Sequence, residues 1–138
     1  MEMVLHLRNS AGNLNLLYLQ LYSDGKIYCT LCLGGRESML AASEAAYGLS
    51  PGKWHMVTQV WDGSEFRNYV DGVERISKSH PGKALDLTAG TQGFGAQLHK
   101  KDRRYNGLLD EVGLWDRALS ESEIRSLYNS GKGLAYPF

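Results

Sequence analysis

Short runs rich in Leu, Ile, Val, Tyr and Trp recur along the chain, separated by polar turn residues. Residues 16–22 form one run and residues 27–33 the next, with Ser23-Asp24-Gly25-Lys26 between them. Asp-Gly supplies the positive φ that a tight hairpin turn needs. The same grammar returns further on. Residues 54–61 read as a strand that turns at Asp62-Gly63, residues 66–70 follow and turn at Asp71-Gly72, and residues 73–77 return. Three such turns between β-rich runs specify antiparallel meanders. Residues 93–99 and 107–115 read as two more strands. Residues 37–50 show no clean period. Their alanines permit a helical turn, Gly48-Leu49-Ser50-Pro51-Gly52 reads as a loop, and the stretch is predicted irregular.

One helix is well signalled, over about residues 121–129. Ser120 and Glu123 have the Ser-x-x-Glu spacing of a capping box. Ile124, Leu127 and Tyr128 then fall on one face, and Gly131 supplies a stop. At about two turns the helix must pack on a sheet to be stable. Residues 133–138 are apolar enough to dock as a tail, and both chain ends are expected to be tied down. Many strands, regular turns and one short helix predict an all-β antiparallel sandwich, a single domain over residues 1–138.

Composition narrows the function classes. The 138 residues carry 15 Lys plus Arg against 15 Asp plus Glu, so the net charge is zero. No global field draws the chain to nucleic acid or an anionic membrane. No run approaches the roughly 20 apolar residues of a membrane span, and the start Met1-Glu2-Met3-Val4-Leu5-His6 lacks the features of a signal peptide. Cys29 and Cys32 make a Cys-x-x-Cys, but within a β-rich run. A redox pair needs a helix N-terminus to lower its thiol pKa. On a strand, residues three apart point to opposite faces about 10 Å apart, beyond the roughly 7 Å a disulfide spans. Zinc would need further ligands, and His6, His55, His80 and His99 show no paired spacing. Two small buried thiols are expected.

The run Tyr105-Asn106-Gly107-Leu108-Leu109-Asp110-Glu111-Val112-Gly113-Leu114-Trp115-Asp116-Arg117-Ala118-Leu119-Ser120, then Glu123-Ile124 and Leu127-Tyr128, resembles the closing signature of laminin-G-like jelly rolls of the concanavalin A-like lectin/glucanase kind. Gly52-Lys53-Trp54-His55-Met56-Val57, Trp61-Asp62-Gly63 and Tyr69-Val70-Asp71-Gly72 resemble the central hairpins of that family. The likeness is to phage and environmental members, and more distantly to pentraxins. It implies a concanavalin A-like β-sandwich and an extracellular or virion-surface setting. Family members begin some tens of residues earlier, with a Gly/Asp-rich segment and a further strand. The resemblance therefore implies sheet edges that need cover. A second copy of the chain, giving a homodimer, is the expected cover. The alternative is that residues 1–7 fill the place.

Catalysis is not expected. Glycoside hydrolysis needs two carboxylates on one face, about 5 to 9 Å apart, and Asp110 and Glu111 are adjacent, hence on opposite faces of a strand. No Glu-x-Asp-x-Glu alternation occurs. No cofactor is called for. Relatives place a structural calcium near the Leu-Asp-Glu-Val step, which makes Asp110 a candidate ligand with Asn13 or Asp24. Roughly six to eight oxygens would be needed. The simpler reading has Asp110 or Glu111 accepting backbone N–H bonds or pairing with Arg117. The loop His99-Lys100-Lys101-Asp102-Arg103-Arg104 is the one basic cluster, suited to sulfated or otherwise anionic glycans or simply a solvated hairpin tip. Tyr22, Trp61, Tyr69 and Tyr105 lie near turns and are candidate sugar platforms, whereas Trp54 and Trp115 lie in apolar runs and are expected in the core. The expected function is a non-catalytic module for carbohydrate recognition or adhesion. A structural or assembly protein is the alternative, and a cut-down glycoside hydrolase a lesser one.

Overall fold

The computed structural model describes residues 1–9, 15–22, 26–34, 36–43, 49–83, 87, 90–97 and 102–134; for residue 15 and for residues 36–43 it describes the backbone. Eight strands appear in order: β1 (Glu2–Asn9), β2 (Asn15–Leu21), β3 (Lys26–Leu33), β4 (Arg36–Ser43), β5 (Val57–Trp61), β6 (Glu65–Val70), β7 (Val73–Ser79) and β8 (Gly90–Phe94). A helix, α1 (Glu121–Tyr128), follows and runs into a 3-10 turn at Asn129–Gly131. One sheet has the order β4-β3-β2-β1-β8 and the other β5-β6-β7. All pairings within them are antiparallel.

The core follows from the period-two alternation of strands. Ile27, Cys29, Leu31 and Leu33 of β3 are buried against Phe66 and Val70 of β6, with Leu17, Leu19, Leu21, Val57, Trp61 and Ile76 around them. Asn68 lies between Phe66 and Val70 on the same inward face, and its Nδ2 donates to Cys29 Sγ at 3.0 Å. The opposite face of the three-stranded sheet presents Val60 and Tyr69, which bury Leu119 and Ile124 with Met56 and Leu127 beside them. The helix is thus a third layer on the small sheet. Its capping box forms as the sequence predicts: Ser120 Oγ accepts the Glu123 N–H at 3.3 Å and Glu123 Oε2 accepts the Ser120 N–H at 2.8 Å. Its end comes earlier than Gly131, at Asn129 in the left-handed region (φ 47°).

Tyr69 couples the sheet to its own turn. Its buried hydroxyl donates to Glu74 Oε2 at 3.1 Å. Burial, then this carboxylate, pushes the phenol up to about 12. The folded protein keeps a proton that the unfolded chain releases near pH 10. This contribution is therefore full below pH 10 and lost as pH rises through about 12. Tyr69→Phe should flatten the fall of Tm between those pH values while lowering Tm slightly at pH 7. An unchanged alkaline slope would show that other groups govern it.

Several sequence expectations are corrected. Residues 37–50 are not wholly irregular, because β4 occupies Arg36–Ser43, paired to β3 in unbroken register. The strand expected over 54–61 begins only at Val57, and the one expected over 93–99 is β8 at Gly90–Phe94. The strand expected over 107–115 does not form. Glu111 sits there at φ 50°, a left-handed value that interrupts an extended run. Trp115 and Trp54, expected in the core, are 41% and 64% exposed. The N-terminal residues fill in as an interior strand, β1, between β2 and β8.

The two sheets overlap only in part. β7 lies near β4, β6 contacts β3 through Asn68–Cys29, and β5 stands over β2, where Gln59 Nε2 donates to the Tyr18 carbonyl at 3.0 Å. The larger sheet therefore projects beyond β5 by the width of β1 and β8. Residues 105–118 form a strap on this side. It starts beside β8, where Ala96 bridges Arg104, and ends where Leu119 packs on Val60 of β5.

Candidate functional site

The residues singled out from sequence do not converge. Trp61 is half-buried against the core, and its indole N–H donates to the His80 carbonyl at 2.9 Å. Tyr69 is buried beneath α1. The Tyr69 ring is thus withdrawn from the surface, against the expectation of a sugar platform, while that of Trp61 is partly covered. Tyr22 is half-buried, its ring 4.5 Å from that of Tyr28. Tyr105 is half-buried, its N–H donates to the Gly95 carbonyl at 2.8 Å, and its ring lies where a Cβ on Gly107 would sit. In the basic loop, Arg103 donates to Gln97 Oε1 at 2.9 Å across the hairpin, while Arg104 is exposed. His99, Lys100 and Lys101 lie outside the described residues. Asp110 is exposed and its Oδ1 accepts the Glu111 N–H at 2.9 Å, so the backbone-acceptor reading holds there. Arg117 pairs with Glu123 rather than with Asp110 or Glu111. Among the described residues no group of three His, Cys, Asp or Glu side chains gathers to hold a metal ion, and Asn13 and Asp24 lie outside them.

A polar corner that the sequence reading missed stands at the start of β5. Asp71 occupies the β6–β7 turn at φ 55°, followed by Gly72 at φ 75°, the two positive values of a type I′ turn. Its Oδ1 accepts the Met56 N–H at 3.0 Å and its Oδ2 lies 2.8 Å from His55 Nδ1. His55 Nε2 faces Ser50, 3.1 Å from its N and 3.3 Å from its Oγ. The order Ser–His–Asp resembles a nucleophilic array. However, the Ser50 backbone N–H takes the single Nε2 lone pair that a general base would need. The corner works as a brace that ties residues 50–56 to the turn. The Trp-His and Asp-Gly pairs were the available signal, but nothing in the sequence showed that they meet.

Among the described residues an open concavity lies elsewhere. A groove of about 380 Å³ runs between the end of the strap and α1, lined by Trp115, Arg117, Leu119, Glu123, Leu127 and Leu134, with Ser122 and Ser126 at the helix side. That size is within the range of small-ligand clefts. Gly113 sets the indole: a Cβ there would fall 2.5 Å from Trp115 Cη2. Arg117 grips Glu123 through two N–H bonds of 2.6 and 3.1 Å. The guanidinium first, then the Ser120 N–H, holds the Glu123 carboxyl down at about 2. The charge pattern of the groove is therefore constant through the neutral and mildly acidic range. Arg117 remains 57% exposed at its side chain, leaving N–H groups to offer. Ser126 Oγ donates to the Ser122 carbonyl and keeps its lone pairs as acceptors. The groove thus combines one apolar ring, an oriented cation and hydroxyl groups.

A family model described as the concanavalin A-like lectin/glucanases superfamily, of laminin-G type, matches residues 2–125. The chain belongs to this family. Two solved structures are similar to this chain in fold. One is a native heptameric SAP-like pentraxin from Limulus polyphemus, with TM-score 0.66 and 19% identity, matched over 96% of this chain and 64% of that one. The other is an S-layer domain-containing protein from Clostridium thermocellum, with TM-score 0.50 and 24% identity, matched over 92% of this chain and 62% of that one. The laminin-G-like chain therefore spans less than two thirds of either structure. No match is found among curated proteins.

Proposed function

We propose that this laminin-G-like chain is a non-catalytic carbohydrate-recognition or adhesion module whose ligand lies in the Trp115 groove. The observation that carries this reading is the half-exposed indole held over Gly113 beside the Arg117–Glu123 pair. Sugars offer an apolar C–H face to an aromatic ring and hydroxyls to charged groups at its rim. Bond cleavage is not part of the reading, because the groove holds one carboxylate, and Arg117 and Ser120 already engage it. An assembly role has its own support. The strap leaves Leu108, Leu109, Val112 and Leu114 at 75%, 41%, 54% and 57% exposure, a group of exposed apolar side chains of the kind found at protein contacts. Self-association as a homodimer is the form of that reading preferred here.

Screening the protein on a glycan array, then titrating a hit by calorimetry, tests the first reading. Trp115→Ala should weaken binding at least tenfold. Gly113→Ala, which displaces the indole and leaves the strap backbone in place, should weaken it several-fold with an unchanged circular dichroism spectrum. Full affinity in both variants would move the site away from the groove.

A further inference from the structure

We infer that Asn106 is a site of spontaneous covalent modification. Its side-chain amide is lost to attack by the Gly107 backbone nitrogen, and a carboxylate takes its place where the strap is anchored to β1.

Three observations carry this. The first is chemical. The backbone nitrogen after an asparagine can attack the side-chain carbonyl carbon, and a following glycine has no Cβ to obstruct the approach. Asn106-Gly107 is the one such pair in the sequence. The second is what the fold leaves open. Both residues are exposed and lie outside every strand and helix. The Asn106 backbone N–H donates to Glu2 Oε2 at 3.0 Å. Its side-chain amide and the Gly107 N–H have no hydrogen-bond partner among the described residues, so the two reacting groups break no bond to meet. The third is that comparable positions are held. Asn68 is 0% exposed and donates to Cys29 Sγ. Asn129 Nδ2 donates to the Gly133 carbonyl at 2.9 Å. An aspartate before glycine can form the same ring, but the Asp62 and Asp71 carboxylates accept the Ser64 and Met56 backbone N–H groups. Packing also keeps the glycine in place. A Cβ on Gly107 would fall 2.3 Å from Tyr105 Cζ, so any side chain there must displace that ring.

The step balances with water and hydroxide alone. Hydroxide takes the Gly107 N–H proton, and the nitrogen bonds to Asn106 Cγ. The Cγ–Nδ2 bond breaks, and ammonia leaves with a proton from water, which regenerates the hydroxide. Water then opens the five-membered succinimide. Opening at Cγ gives aspartate, and opening at the main-chain carbonyl gives isoaspartate. Either product sets a new carboxylate near that of Glu2, which holds the residue 106 N–H. Like charges repel, so this tie between the strap and β1 weakens. Isoaspartate also lengthens the main chain by one carbon at the start of the strap.

The test ages the whole chain in mildly alkaline buffer, folded and in urea, and maps it by trypsin and mass spectrometry. Cleavage after Arg104 and Arg117 gives a peptide whose single asparagine is Asn106, and cleavage after Arg125 and Lys132 gives one whose single asparagine is Asn129. Conversion at Asn106 should be nearly as fast in the folded protein as in urea, whereas folding should slow Asn129 several-fold. Folding that protects both equally would overturn the assignment. Isoelectric focusing should show an acidic species that grows with age and is lost in Asn106→Gln, and its persistence in that variant would also overturn it. Asn106→Asp supplies the charge directly and should speed hydrogen exchange of the residue 106 N–H several-fold. Unchanged exchange would overturn the weakening of the anchor and leave the modification itself standing.

Discussion

Truncating Phe66 to alanine is expected to remove about 3–5 kcal/mol of stability, the range for deleting a buried aromatic ring. Phe66 is 1% exposed and opens the inward row of β6. It stands in register with Trp61 on one side and packs with Ile27, Cys29, Leu31 and Leu33 across the interface. The site cannot collapse easily. β6 is the central strand of a three-stranded layer, hydrogen-bonded on both edges and pinned from outside by α1 through Val60 and Tyr69. The cavity should therefore stay open. Phe66→Leu, which keeps most of the volume, should cost no more than about half as much. Urea unfolding followed by tryptophan fluorescence reads both. A loss below about 1 kcal/mol for alanine would mean that the two sheets are not packed as described.

Asp71→Ala should cost about 3 kcal/mol through two separable causes. Its carboxylate accepts the Met56 N–H and engages His55; hydrogen bonds to charged acceptors contribute about 1.5–3 kcal/mol each when lost singly, and less when lost together. Its φ of 55° adds strain for alanine, about 1–2 kcal/mol. Asp71→Gly removes the strain and keeps the loss of the carboxylate, so it should be the milder variant by that second amount. Asp71→Asn tolerates the left-handed backbone but has one acceptor oxygen for two donors, and should fall between wild type and alanine. Negligible losses for both Gly and Asn would show that the brace contributes nothing, and equal losses for Ala and Gly that the left-handed backbone adds no strain. Because His55 hangs from the same carboxylate, Asp71→Ala should also free residues 50–56 and raise proteolysis near exposed Trp54.

The fold was legible because its signals are local. Asp-Gly pairs at 62–63 and 71–72 mark turns that exist, and the Ser120–Glu123 box marks a helix start that exists. Asp62 shows why such signals are reliable: its Oδ1 accepts from the Ser64 and Glu65 N–H groups, which with Arg67 hold its carboxyl well below the usual range. The site was less legible because exposure is a tertiary property. Trp115 and Trp54 sit in apolar runs, and a run reads as core although here the two rings are 41% and 64% exposed. Trp61 and Tyr69 sit near turns, and turn residues read as exposed unless one knows that His80 and α1 lie over them. β4 escaped notice because Ala and Ser carry little strand preference, and only pairing with β3 makes them extended.

The buried thiols have a consequence for how the protein meets its surroundings. Cys29 and Cys32 occur on β3 with no disulfide, one on each face of the sheet, and Asn68 already engages the first. An oxidant cannot link them to each other without dismantling the strand. The same geometry makes the sulfurs a clock. An alkylating reagent reaches them only when the sandwich opens, and the rate of mass gain in native buffer would report how often that happens.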